Sequence, residues 1–170
     1  MKYINKKINP RLFFLYNLSI LLLLNIILVD LKTTKNIRKL NNYYSEIRLV
    51  IQGNGTQTFI DQIEPSEVLI NGISQGDTCK KSCILDGDTN NITLIFTNTI
   101  KSCYRMFGFY NNIIEIDVSK FDFSEVTNIM SMFYHCTKLE KIIFGNINTS
   151  SVQSMRSTFN ECTKITSIDL

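Results

Sequence analysis

The sequence predicts an α/β repeat fold. An N-terminal hydrophobic helix and a β-rich cap would precede a short solenoid, with a parallel strand ladder on one face and helices on the other. Three observations predict it. Residues 12–29 form an uncharged apolar stretch, residues 46–98 contain runs of alternating apolar and polar residues, and residues 99–170 repeat with a period of 26. A fixed period of this length is typical of stacked repeats.

The first 30 residues are predicted to form a signal peptide or a signal-anchor helix. Four basic residues precede the apolar stretch, an order that directs a chain to a membrane. The stretch is long enough to cross a bilayer and lacks a small-residue cleavage site, so an uncleaved anchor and a cleaved signal both stay open. The predicted location is the membrane or cell surface, with the repeats extracytoplasmic, or outside the cell after cleavage. Residues 31–45 are polar and predict a linker.

The charge distribution argues against nucleic-acid binding. The chain has 170 residues, a formal net charge of +3 and 44% hydrophobic residues, a composition that suits a packed domain. Residues 1–30 hold four of the 18 basic side chains and one of the 15 acidic ones. The remainder is therefore neutral and lacks the basic surface that nucleic acids require.

Residues 46–98 are predicted to form a β-rich cap on the repeats. Alternating residues on both sides of the turn at 53–55 indicate a β-hairpin. Residues 67–71 and 91–97 predict two further strands, and the glycine-containing segment 76–88 predicts a loop. Such a cap would cover the apolar face and the strand edge of the first repeat.

Each 26-residue copy is predicted to contain a helix, a short link and a strand. In the middle copy, apolar residues recur at steps of three and four after Ser124, a typical N-cap residue, which indicates one face of a helix. A degenerate copy begins near Ile100, so residues 99–170 hold about two and a half copies. The array is therefore predicted to be incomplete at Leu170. The predicted core positions are Val126, Ile129, Phe133, Cys136, Leu139, Ile142, Val152, Met155, Phe159, Cys162, Ile165 and Ile168.

Short extended runs follow the predicted helices, at residues 115–119, 141–145 and 167–170. Stacked copies would align these runs as a parallel ladder. Successive side chains of a strand point to opposite sides, so one set of side chains would face the core and the other would face outward. The equivalent outward positions, which form the predicted binding face, are Asp117, Ile143 and Asp169.

The five cysteines are assigned two roles. Cys136 and Cys162 share one slot on the apolar stripe and are predicted to be small buried residues. Cys79, Cys83 and Cys103 are the candidates for a disulfide in an oxidising compartment, with Cys79 joined to Cys83 or one of them joined to Cys103. The candidate N-glycosylation sites are Asn54, Asn91 and Asn148.

No catalytic residue, metal ligand or cofactor is predicted. The single histidine, His135, occupies a slot that holds Phe109 and Glu161 in the neighbouring copies, so the slot is not reserved for one chemical group. A zinc site that combined this histidine with the cysteines of the cap would lack the usual spacing of zinc ligands. No serine or cysteine motif accompanies the histidine to suggest a catalytic triad.

The repeats resemble a known family. The segments 116–119, 121–122, 126–128 and 132–136 read IDVS, FD, VTN and MFYHC, which is similar to the BspA-like leucine-rich repeats, the 26-residue repeats of surface proteins from bacteria, mycoplasmas and protists. The resemblance covers residues 100–170. It implies a leucine-rich-repeat solenoid displayed at a cell surface and used in adhesion or recognition, with no catalytic residue.

The predicted function is therefore non-enzymatic binding or adhesion at the cell surface, through a face that recognises a protein or a glycan. Two alternatives stay open. The chain could be the N-terminal part of a larger surface receptor or enzyme, or it could be a structural component of the surface or matrix without a specific ligand. The ligand and the oligomeric state are not determined by the sequence.

Overall fold

The computed structural model describes residues 44–169, which fold into nine strands in two sheets. The strands are β1 (Ser45–Gln52), β2 (Gly55–Thr58), β3 (Glu67–Ile70), β4 (Ile73–Ser74), β5 (Ser82–Leu85), β6 (Thr89–Phe96), β7 (Ile113–Lys120), β8 (Lys141–Ile143) and β9 (Ser167–Asp169). The larger sheet has seven strands in the order β4-β3-β6-β1-β7-β8-β9, and the smaller sheet pairs β2 with β5. These residues belong to one compact unit that runs from position 43 to position 170.

The predicted fold class is wrong. Residues 44–169 contain no helix, and a seven-stranded sheet replaces the predicted solenoid of helices packed on strands. The segments that begin near Ser124 and Ser150, which were expected to be helical, are runs of turns. The strands β7, β8 and β9 pair in parallel, and each register joins residues that are 26 positions apart.

Left-handed backbone conformations explain why the turns are not helices. In the middle copy, Ser131 has a φ of 56° and His135 has a φ of 59°. Residues in this region interrupt a right-handed helix, because the helix requires a negative φ and a positive φ turns the backbone with the opposite hand. The same conformation recurs 26 residues earlier and later, at Arg105, Phe109, Ser157 and Glu161. Apolar residues at steps of three and four therefore face the core from a chain of turns.

The turns of successive copies are joined by backbone hydrogen bonds. The Phe107 N–H donates to the Met132 carbonyl at 2.9 Å, and the Phe133 N–H donates to the Thr158 carbonyl at 2.9 Å. An α-helix would direct these N–H groups four residues back along the same segment. Here alternate N–H groups point to the next copy, and those between them bond three residues back within the turn.

The cap and the copies share one hydrophobic core. Strand β1 lies in the middle of the large sheet and pairs antiparallel with both β6 and β7, so it joins the cap to the first copy. The predicted hairpin at residues 53–55 is wrong, since β2 pairs with β5 instead of β1. Strand β5 lies in the segment that was predicted to be a loop. Strands β2 and β5 lie about 30 positions apart in the sequence. Local patterns do not reveal pairing over this distance, so both the hairpin and the loop were predicted incorrectly.

Stacked aromatic rings run through the core of the copies. The ring centroids of Phe107 and Phe133 are 5.9 Å apart, and those of Phe133 and Phe159 are 5.4 Å apart. The planes within each pair are nearly parallel. The Phe133 ring therefore lies between two equivalent rings and is 1% exposed.

The predicted leader lies outside the described residues. This applies to the apolar stretch 12–29 and to most of the predicted linker at 31–45. Within residues 44–169 there is no helix with the length and apolar character needed to cross a membrane.

Replacement of Phe133 by alanine is expected to lower the free energy of unfolding by about 3–5 kcal/mol, because it removes a buried ring and leaves a cavity between two others. Chemical denaturation followed by circular dichroism would measure this difference. The matched control is Phe109→Ala, since Phe109 is 51% exposed and should cost less than about 1 kcal/mol. Equal losses in the two variants would contradict the observed packing.

Substitutions at Ser131 should reveal its left-handed backbone. Ser131→Gly should leave the free energy of unfolding within about 1 kcal/mol of the wild type, because glycine adopts this conformation without steric strain. Ser131→Val should lower it by about 2 kcal/mol, since a β-branched residue is disfavoured at positive φ. Thermal or chemical denaturation would measure the stability of the two variants relative to the wild type. Ser167→Val, on exposed strand β9, is the control and should be nearly neutral.

Candidate binding face

Ten partly or fully exposed side chains on five neighbouring strands form a continuous surface, which we name the outer face. They lie in two rows that cross β6, β1, β7, β8 and β9 in that order. The first row is Thr93, Arg48, Asp117, Ile143 and Asp169, and the second row is Asn91, Val50, Glu115, Lys141 and Ser167. At the usual spacing of strands, five strands span about 19 Å.

The structure brings the predicted binding residues together. Asp117 pairs with Ile143, and Ile143 pairs with Asp169, so the three side chains lie side by side on adjacent strands. They lie on the side of the sheet opposite to Ile116 and Ile142, the buried residues that precede Asp117 and Ile143 in β7 and β8. The alternation of a strand decides this placement and does not depend on the preceding segment being helical.

The outer face also includes cap residues that the sequence did not identify as part of a binding surface. Arg48 pairs with both Asp117 and Thr93, and it thereby connects the strands of the copies to those of the cap. The alternation in β1 does indicate that Arg48 and Val50 point away from the core. The pairing of β1 with β7 has no local signal, so the extension of the face into the cap could be found only from the fold.

A shallow polar depression lies on the cap side of the outer face. Its volume is about 280 Å³. The surrounding residues are mostly polar, and both signs of charge are present. They are Arg48, Leu49, Val50, Asn91, Ile92, Thr93, Glu115 and Asp117. Such a depression offers hydrogen-bond donors and acceptors on a rigid sheet.

Ion pairs and hydrogen bonds orient the charged groups of this surface. The Lys141 Nζ lies 3.3 Å from the Glu115 Oε1. An Arg48 nitrogen lies 2.6 Å from the Glu46 carboxylate on the same strand. The Asp117 carboxylate accepts a hydrogen bond of 2.9 Å from the Ser119 N–H. Surface pairs of this kind add little stability, so their main effect is to fix which charges a ligand would meet.

In the structure, the three candidate disulfide residues form one bonded pair and one free thiol. Cys79 and Cys83 are bonded to each other, with their Cα atoms 5.2 Å apart. Cys103 is a buried free thiol in the first copy. The bond closes the short loop before β5 in the cap.

The Cys136 and Cys162 thiols donate hydrogen bonds to the preceding copy. Each sulfur lies 2.9 Å from a phenylalanine carbonyl, that of Phe107 for Cys136 and that of Phe133 for Cys162. Burial raises the pKa of Cys136 to about 12, so the thiol keeps the proton that this bond needs. Burial raises the pKa of Cys103 to about 12 as well, and it raises the pKa of the half-buried Cys162.

The predicted core positions differ in burial between the middle and last copies. In the middle copy, Val126, Ile129, Phe133, Cys136, Leu139 and Ile142 are all buried. In the last copy, Val152, Cys162 and Ile165 pack against the core but are only partly buried. Met155, Phe159 and Ile168 are 65%, 40% and 49% exposed. The difference arises because the described residues provide no further layer above the last copy.

The candidate glycosylation residues Asn54, Asn91 and Asn148 are all exposed. Asn91 is part of the outer face, next to Val50. The Asn148 side-chain oxygen accepts a hydrogen bond of 3.1 Å from the Ser150 N–H, within its own sequon. A glycan on Asn91 would occupy one end of the second row.

His135 lies on the turns and is not part of the outer face. Its ring contacts the exposed Phe109 ring, with a centroid distance of 5.7 Å, and the Tyr134 ring at 6.0 Å. Across residues 44–169, histidine, cysteine and acidic side chains form no group of three that could hold a metal ion. The chemistry that the outer face itself offers is hydrogen bonding, charge pairing and apolar contact at Val50 and Ile143.

Comparison with known proteins relates part of the chain to a described family. Residues 90–170, slightly less than half of the chain, match the family described as Mycoplasma protein of unknown function, DUF285. The match covers β6 and the three copies but not the rest of the cap. No curated protein and no solved structure matches the chain.

Thiol counting tests the cysteine assignments. The native protein at pH 8 should react slowly with Ellman's reagent at Cys103 and Cys136, because a pKa near 12 leaves only about one thiolate in ten thousand. Unfolding without a reductant should expose three thiols, and reduction should raise the count to five. Five thiols before reduction would show that Cys79 and Cys83 are not bonded.

Proposed function

We propose that the protein is a non-enzymatic binding or adhesion protein of the cell surface, and that the outer face recognises a protein or a glycan. The observation that carries this proposal is the continuity of the two rows across five strands, from the cap to the last copy. A surface built by both parts of the domain suits a single binding site. The strands beneath it share one core, so its side chains are held in a fixed arrangement.

The charges of the outer face favour specific recognition over general adsorption. Positive Arg48 pairs with negative Asp117, positive Lys141 pairs with negative Glu115, and negative Asp169 ends the first row beside Ile143. A mixed pattern selects a partner with the complementary pattern, whereas one sign of charge attracts any opposite surface. The polar depression would accept one projecting group of the ligand.

Two further observations support a surface location. The basic residues and the apolar stretch at the N-terminus have the order of a membrane-directing leader. The DUF285 match covers the copies that resemble the BspA-like repeats of surface proteins. We therefore place the domain on the extracytoplasmic side, tethered by the leader or released after its cleavage.

The binding proposal can be tested with the full-length protein in detergent, screened against glycan arrays and host or matrix glycoproteins. A ligand found in this way should bind Asp117→Asn at least about tenfold more weakly, since the substitution removes one charge from the first row. The amide oxygen can still accept the bond from Ser119, so the fold should be kept. The readout is the dissociation constant from surface plasmon resonance.

Asp86→Asn is the matched control, because Asp86 is exposed in the cap outside the outer face and the change in charge is the same. Its affinity should equal that of the wild type. Equal affinities for all three proteins would contradict binding at the first row of the outer face around Asp117. A screen without any specific ligand would instead favour a structural role at the surface.

A further inference from the structure

The turns of the first and middle copies carry a group of aromatic side chains around one arginine, which we name the aromatic cluster. Its members are Tyr104, Arg105, Phe109, Tyr134 and His135. The Phe109 ring meets the Tyr134 ring edge to face, with the centroids 5.1 Å apart, and the His135 centroid lies 5.7 Å away. Phe109 is nevertheless 51% exposed. The cluster therefore presents aromatic surface to the solvent.

The guanidinium of Arg105 lies against two rings of this cluster. Its central carbon is 5.4 Å from the centroid of the Tyr104 ring and 5.6 Å from that of the Phe109 ring. Both distances are within the range of about 6 Å over which an aromatic face attracts a cation. Such contacts use the charge of the guanidinium and leave its N–H groups available as hydrogen-bond donors.

The N–H groups of the Arg105 side chain have no partner in the part of the chain that the structure describes. The side chain is exposed, and within residues 44–169 it forms no ion pair and donates no hydrogen bond. Arg48, in contrast, pairs with Glu46 at 2.6 Å. A guanidinium that two rings already hold loses less conformational entropy when it binds an anion. Arg105 is therefore a prepared and unused binding group.

The exposure of the aromatic cluster does not arise at the outward edge of the last copy. Arg105 and Phe109 belong to the first copy, and Tyr134 and His135 belong to the middle copy. The last copy already stacks on the middle one through backbone hydrogen bonds. Copies of a solenoid are added along the stacking direction, so a further layer would extend the stack without covering this side of the turns.

The backbone N–H groups of the aromatic cluster all have acceptors within the domain. Those of Arg105, Phe109 and His135 donate to carbonyls of the following copy. That of Tyr134 donates within its own turn, and that of Tyr104 donates to a serine hydroxyl. An extended peptide gains much of its affinity from main-chain hydrogen bonds of this kind. Recognition at the cluster therefore depends on side chains, which are one cationic donor group and several rings.

We propose that the aromatic cluster binds a hexuronic acid residue of a glycan. The sugar carboxylate accepts hydrogen bonds from the Arg105 guanidinium, a pairing that suits the planar shape of both groups. One face of the pyranose ring packs on the exposed part of the Phe109 ring. This site consists of other residues than the outer face and does not depend on the function proposed there.

The shape of a β-linked glucuronic acid matches this arrangement. In its chair form the ring substituents, including the carboxylate, are equatorial, so both faces of the ring carry only C–H bonds. The faces of aromatic rings are electron-rich and attract the weakly positive hydrogens of such a surface. The carboxylate projects from the edge of the sugar ring, so it can meet Arg105 while a C–H face lies on Phe109.

An NMR titration of the full-length protein in detergent with methyl β-D-glucuronide tests the proposal. The amide signals of Arg105, Phe109, Tyr134 and His135 should shift in a saturable manner. Two reference ligands separate the contacts, since methyl β-D-glucoside has the ring without the carboxylate and acetate has the carboxylate without the ring. Each should bind at least about tenfold more weakly than the glucuronide, because each lacks one contact.

Three variants test the residues. Arg105→Gln removes the guanidinium and Phe109→Ala removes the ring, and each should weaken glucuronide binding at least about tenfold. Phe109→Ala should keep the fold, because the ring is half exposed. The matched control is Arg156→Gln, since Arg156 is exposed on the turn of the last copy and lies over no aromatic ring within residues 44–169. This variant should bind as the wild type does.

Four results would overturn the proposal. The first is the absence of saturable shifts at the cluster, and the second is equal binding of acetate or of the glucoside. The third is tighter binding of the acidic dipeptide acetyl-Glu-Phe amide, which would identify a peptide as the partner. The fourth is a set of shifts confined to the outer face, around Arg48 and Asp117, which would place the sugar there and leave the function proposed for that face intact.

Discussion

The contacts between successive copies depend on alternate backbone N–H groups pointing out of each turn. This arrangement requires left-handed residues at fixed places, such as Ser131 and His135, because a continuous right-handed helix would use all of its N–H groups internally. The parallel pairing of β7, β8 and β9 and the stacking of the phenylalanine rings both follow from the resulting spacing. The backbone thus sets the register that the side chains then occupy.

The sequence revealed positions more reliably than conformations. The period of 26 located β7, β8 and β9 and the outward residues Asp117, Ile143 and Asp169. The apolar steps of three and four after Ser124 did not distinguish a helix from a series of turns, because both place such residues on one side. One signal in the sequence was the mixture of Phe109, His135 and Glu161 in one slot, which suits an outward turn position. None of these residues is glycine, the residue type that would have indicated a positive φ.

The cap shows the limit of local patterns in a different way. Strand β1 has a clear alternation, yet its partners are β6 and β7, about 40 and 70 residues away. The turn at residues 53–55 suggested a hairpin because it satisfies local turn chemistry. The actual pairing gives β1 two strand partners and buries Leu49 and Ile51 between the cap and the copies. Non-local burial therefore overrides the local preference, and the polar depression beside Arg48 exists only as a result.

Because backbone atoms form most of the contacts between copies, equivalent positions tolerate different side chains. The donors at Phe109 and His135 use only backbone atoms to reach the next copy, so their side chains are free to differ. On the outer face, the ladder likewise requires only the backbone of Asp117, Ile143 and Asp169. At Cys136 and Cys162 the side chains do take part in the contact between copies, because each thiol donates to a phenylalanine carbonyl of the preceding copy. The side chains of the outer face can therefore vary without any change in the backbone contacts that hold the copies together.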